Sequence, residues 1–166
     1  MSSLVKKSHQ HAPWRQLLRR IYLVFTLLIC LGLMGANPAM ATSTSGDLLK
    51  TPAIEITVSL GNAANELKFE PSRLEFIAGK RYTIRLTNPS QLKHYFTAKD
   101  FADAIWTQKV QAGKVEIKGA IHELELQPGG VAEWVFVPLK SGNYSLRCSI
   151  AGHTEAGMIG AIAISN

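Results

Sequence analysis

Cysteine, histidine and methionine recur at steps of five near the C-terminus, as Cys148, His153 and Met158 in the stretch YSLRCSIAGHTEAGMIG that spans residues 144–160. A thiolate, an imidazole and a thioether are soft or borderline donors, and a loop that turned them toward one point could hold a transition metal. With a second imidazole the set would be two histidines, one cysteine and a weak axial methionine, which suits copper and electron transfer. Each residue alone has a plainer role: a loop methionine packs, a single histidine sits on the surface or satisfied in the core, and a lone cysteine behaves as a small buried hydrophobe. The joint spacing is far more specific than its parts. Beyond residue 41 two other histidines could supply the second imidazole, His94 and His122. His94 follows the strand-like YTIRLTN and the turn PSQLK, which sets it just past a strand end. His122 lies within AIHELEL, which reads as strand interior with Glu123 and Glu125 facing outward, so it reads as a structural or surface histidine.

The elements that must position these donors are strands. Ile54, Ile56, Val58 and Leu60 alternate with polar or small residues, as do Tyr82, Ile84 and Leu86, then Ala132, Trp134 and Phe136, then Tyr144 and Leu146. The runs are short and punctuated by EPS, AGK, TNPS, QPGG, PLKSGN and AGH. With 166 residues, 46% of them hydrophobic, one domain is expected, an all-β sandwich or small barrel. A single stretch, DFADAIWTQKV from Asp100 to Val110, reads as helical, with Asp100 as N-cap and Phe101, Ala104 and Ile105 on one face. It predicts a short helix or flap packed on an edge of the sandwich.

The N-terminus has a different character. Lys6, Lys7, Arg15, Arg19 and Arg20 precede the apolar run from Ile21 to Gly35, and the small residues Ala39 and Ala41 follow, the pattern of an export signal over residues 1–41. The run is shorter than the roughly 20 residues that span a bilayer, so a membrane anchor is expected only if the signal is retained. The Arg19-Arg20 pair leaves both the general secretory and the twin-arginine routes open. Residues 42–52 read as a flexible lead-in and residues 53–166 as the folded domain. All 12 acidic residues lie beyond position 41, against 13 of the 18 basic ones, a net charge of +1 that gives no electrostatic case for nucleic acid. With Cys30 removed along with the signal, Cys148 would be the single thiol of an exported protein, and a metal is one partner such a thiol can have.

GNYSLRC, then GH, then GMIG, preceded by TNPSQLKHYF, resembles the cupredoxins, the blue (type 1) copper proteins that include plastocyanin, azurin, rusticyanin and auracyanin. The resemblance covers about Ile54 to Ser165. It implies a Greek-key β-sandwich of the cupredoxin type and one type 1 copper cycling between Cu(I) and Cu(II). By position it makes His94 the upstream ligand, Cys148 the thiolate, His153 the second imidazole and Met158 the axial thioether. Two departures stand out: Tyr95 occupies the place where plastocyanin and azurin have an asparagine, and no proline lies between Cys148 and His153. The implied role is an exported one-electron carrier, not an enzyme, located in the periplasm or an equivalent lumenal compartment. It would be a monomer meeting redox partners such as a cytochrome or a membrane electron-transfer complex. Copper storage, delivery or resistance is the alternative. A copper oxidase or nitrite reductase typically needs a His-Cys-His triplet, whereas Cys148 is flanked by Arg147 and Ser149.

Overall fold

The computed structural model describes residues 50–166. The proposed export signal and most of the lead-in fall outside the described residues. Eleven strands run in chain order: β1 Ile54–Leu60, β2 Phe69–Glu70, β3 Arg73–Ile77, β4 Tyr82–Thr87, β5 His94–Thr97, β6 Ile105–Ala112, β7 Val115–Ile117, β8 Glu123–Leu126, β9 Val131–Pro138, β10 Gly142–Arg147 and β11 Ile159–Ser165. They form a six-stranded sheet, β2-β1-β4-β9-β6-β7, and a five-stranded sheet, β3-β11-β10-β5-β8. The chain passes repeatedly from one sheet to the other. Two pairings, β1 with β4 and β3 with β11, are parallel and the rest antiparallel.

The alternation expected of half-buried strands is visible in the burial. Leu74 and Phe76 are buried between exposed neighbours in β3, and Tyr82, Ile84 and Leu86 are buried in β4. Trp134, Phe76, Phe96, Phe101 and Phe136 are fully buried, each contributing roughly 1.5–3 kcal/mol relative to exposure. They meet mostly edge to face, as in Phe76 with Phe136 at 5.3 Å and Phe96 with Trp134 at 6.2 Å between ring centres. The indole N–H of Trp134 would be stranded in that core, and it donates to Thr107 Oγ1 at 3.1 Å.

The stretch read as helical is mostly strand. A four-residue helix, α1, spans Lys99–Ala102 with Ala98 at its N-cap, and Asp100 lies inside its first turn. From Ile105 the chain is β6, paired along β9. The expected face crosses a junction: Phe101 lies in α1, Ala104 in the turn after it and Ile105 opens β6, whose buried positions 105, 107 and 110 skip a residue at a β-bulge between Thr107 and Lys109. A helix end followed directly by a strand start thus reads as one helical face. The β-branched and aromatic content of IWTQKV favours the strand.

Candidate metal centre

Two loops build the site from strand ends. Cys148 directly follows β10 and Met158 directly precedes β11. These strands are antiparallel neighbours with Arg147 opposite Ile159, so the pairing itself brings cysteine and methionine face to face. The Cys148 N–H donates to the Met158 carbonyl at 3.1 Å, and the Met158 N–H returns to the His153 carbonyl at 2.9 Å. Between them the loop turns on itself through His153 N–H to Ile150 O and Ala156 N–H to Gly152 O, both at 3.0 Å. Gly152 and Gly157, at φ +84° and +101°, occupy backbone regions that side chains resist. The Thr154 hydroxyl donates to the Cys148 carbonyl at 2.7 Å and ties the turn to its root.

His94 comes from the other loop. It opens β5 as a strand residue, seven positions beyond Thr87, where β4 ends. Asn88 fixes the connection between them. Its side-chain amide donates to the carbonyls of Leu92 and Leu126, both at 2.8 Å, and its Oδ1 accepts from the Ser90 N–H at 3.0 Å. β5 in turn meets β10 through Thr97 opposite Arg147, which delivers His94 to the cysteine end of the sheet.

One donor atom each from His94, Cys148 and His153 lies within 4.8 Å of the others. Cys148 Sγ is 3.4 Å from His153 Nδ1, and the imidazole ring centres are 5.2 Å apart. His94, Cys148 and Met158 are fully buried, while His153 is partly exposed. Nδ1 of His94 is buried without a hydrogen-bond partner, an expensive state for a polar atom unless something coordinates it. Burial first, and then the charge of His153, hold the His94 imidazole below its ordinary range, so it is neutral at pH 7 with a lone pair to offer. The Tyr95 N–H points at Cys148 Sγ at 3.4 Å, a bond a thiolate accepts well. Soft sulfur, two imidazoles and an orphaned buried nitrogen together fit a copper ion.

Four residues singled out from the sequence thus share one end of the sandwich, and the fifth does not. His122 stands one residue before β8, not inside it, and its Nε2 pairs with exposed Asp103 at 2.7 Å. The sequence reading missed Asn65, Asn88 and Ser90. The last two are buried polar residues in a Pro-containing loop, which look like ordinary turn chemistry.

A curated relative, the chloroplastic plastocyanin of Fritillaria agrestis, is 31% identical over 128 residues, covering 76% of this chain and 70% of that protein. The chain belongs to the cupredoxins, the small blue copper proteins that carry single electrons. No family model matches it. Among solved structures, reduced auracyanin from the photosynthetic bacterium Roseiflexus castenholzii superimposes with a TM-score of 0.50 at 17% identity, over 70% of this chain and 100% of that one. A copper nitrite reductase from Thermus scotoductus gives 0.53 at 13% identity, over 71% of this chain and 32% of the enzyme. At such identities these two likenesses concern the fold alone.

Proposed function

We propose that this chain holds one copper at His94, Cys148, His153 and Met158 and works as an exported one-electron carrier. The observation that carries the reading is the convergence of three donors from two separate loops, with the buried His94 Nδ1 left unpartnered. Bound there, copper would supply a Cu(I)/Cu(II) couple. The chain's own residues do the rest. The two sheets hold the loops from strand ends, and the loops' hydrogen bonds restrain the donors against displacement as charge changes. Full burial of Cys148, His94 and Met158 keeps water from the sulfur and the imidazole. That enclosure favours a carrier over a storage or delivery protein, which must release its metal. A purely electron-carrying role, not catalysis, is the reading that Arg147 and Ser149 favour, since they flank Cys148 where a His-Cys-His triplet would wire a blue site to a second copper. Among the described residues no helix is long and apolar enough to cross a membrane.

Partners would approach at His153, the partly exposed imidazole of the site, where Ala151, Ala156 and Ile159 are exposed and no lysine lies between Cys148 and Asn166. Ala151→Glu is expected to slow electron exchange with a redox partner about tenfold or more, a barrier increase of about 1.4 kcal/mol, measured by stopped flow. Because the domain is nearly neutral, the wild-type rate should vary only mildly with salt. A steep salt dependence with indifference to Ala151→Glu would place docking elsewhere.

The ligand assignment is tested by the visible spectrum of the copper-loaded protein. The Cu(II) form should show an intense thiolate-to-copper band that Cys148→Ser abolishes and His122→Ala leaves intact. A band lost with His122 would show that the wrong histidine had been chosen.

A further inference from the structure

The outer nitrogen of His94 is held by a chain of hydrogen bonds whose direction can be worked out atom by atom. Nε2 lies 3.2 Å from Ser90 Oγ. Gly61 closes the same side, since a Cβ at that position would stand 2.9 Å from Nε2 and 3.2 Å from the Ser90 Cβ. A serine hydroxyl gives one proton and accepts at two lone pairs. The Leu92 N–H occupies one lone pair of Ser90 Oγ at 2.9 Å. At 3.0 Å from the same oxygen stands Asn65 Oδ1, from the loop after β1. That amide cannot be turned round, because Asn65 Oδ1 also accepts the Gln91 N–H at 2.8 Å and an NH₂ there would oppose it. Asn65 therefore presents only an acceptor to Ser90, and the single hydroxyl proton must go to Asn65. What remains to Ser90 is one lone pair, facing His94 Nε2. The bond is satisfied only if Nε2 carries the hydrogen. Nδ1 is then the bare nitrogen, and it is the atom found buried without a partner.

We propose that Asn65, acting through Ser90, is a positioning residue that fixes His94 as its Nε2–H tautomer and so keeps a lone pair, not a proton, on the nitrogen offered to the metal. The proposal rests on reading His94 as a copper ligand, and it gives that ligand a remote determinant 29 residues upstream in sequence. Without the Asn65 acceptor, the Ser90 hydroxyl is free to turn its proton toward Nε2. The hydrogen of His94 then moves to Nδ1 in part of the population, and every such molecule must move it back before coordinating.

The test begins on metal-free protein at about pH 8, where imidazoles are neutral. Long-range ¹H–¹⁵N correlation spectra should show His94 with a protonated Nε2 and a bare Nδ1. Asn65 has φ +59°, so Asn65→Gly removes the side chain without straining the backbone. That variant should mix in the Nδ1–H tautomer and weaken Cu(I) binding about tenfold in competition with a chromophoric chelator. Asn65→Asp, which keeps the acceptor oxygens, should restore both. Asn62→Ala serves as the control, because Asn62 orders the same loop by accepting from Ala64 and Glu66 without touching Ser90. It should lower the melting temperature and leave the His94 spectrum unchanged. A wild-type His94 protonated on Nδ1, a tautomer indifferent to Asn65→Gly, or an equal change in Asn62→Ala overturns the relay. These outcomes are separate from failure of the ligand reading, which would show as a copper-loaded wild type without the thiolate band.

Discussion

The two loops that meet at the metal centre are stabilised in opposite ways. The loop carrying Cys148, His153 and Met158 is held chiefly by its own backbone, in successive turns between neighbouring strands, with the Thr154 hydroxyl bonded back to its base. The loop leading to His94 is held by side chains that reach across the fold: Asn88 to the Leu126 carbonyl, and Ser90 to Asn65. The first is a local structure between neighbouring strands, and it leaves His153 partly exposed. The second exists only inside the assembled sandwich, and it buries His94 completely. On the proposed reading, electron transfer needs one ligand near the surface, His153, and another enclosed in the fold, His94. The two kinds of loop divide those tasks.

The comparison can be broken by stability measurements in chemical denaturant. The largest effect is expected from Asn88→Ala. It orphans two carbonyls and one N–H around a residue only 1% exposed, a loss of about 3 kcal/mol or more at roughly 1–3 kcal/mol for each buried unsatisfied group. Thr154→Ala removes one partly buried hydroxyl bond from a loop otherwise fixed by backbone, and about 1 kcal/mol is expected. Equal losses in the two variants would mean that the loops are not held differently. The smallest effect belongs to His122→Ala, which deletes an exposed pair with Asp103 away from both loops and should change stability by less than about 0.5 kcal/mol. A larger loss there would make the region between α1 and β8 part of the site's support.

What was legible beforehand follows the same division. The cysteine, histidine and methionine of one loop are contiguous, so their spacing could be read directly. The strands with an unbroken period of two, such as β4, were equally plain. β6 was not, because Phe101 in α1, Ala104 in the turn after it and Ile105 at the start of β6 fall at helical spacing across a helix-to-strand junction, and the bulge after Thr107 then breaks the period of two. Glu123 and Glu125 alternate with Leu124 and Leu126, and that period reads as a strand extending back through His122. Yet β8 begins only at Glu123, while the His122 carbonyl still accepts from Ala98 N–H at 3.1 Å. Hydropathy has no means of marking where a ladder stops.

By itself the sequence determined the all-β alternation, the soft donor set within residues 148–158 and the two candidates for the remaining imidazole, since each depends on residue type and on neighbours a few positions apart. Tertiary structure decided what depends on contacts between distant segments. The pairing of β5 with β10 brings His94 to Cys148, 54 residues away, and leaves His122 beside Asp103. The cage of Asn65, Asn88 and Ser90 likewise joins residues that look like ordinary turn formers until the sheets pack. Hydrogen-bond direction is a property of positions in space, and those positions are set only when the sandwich closes.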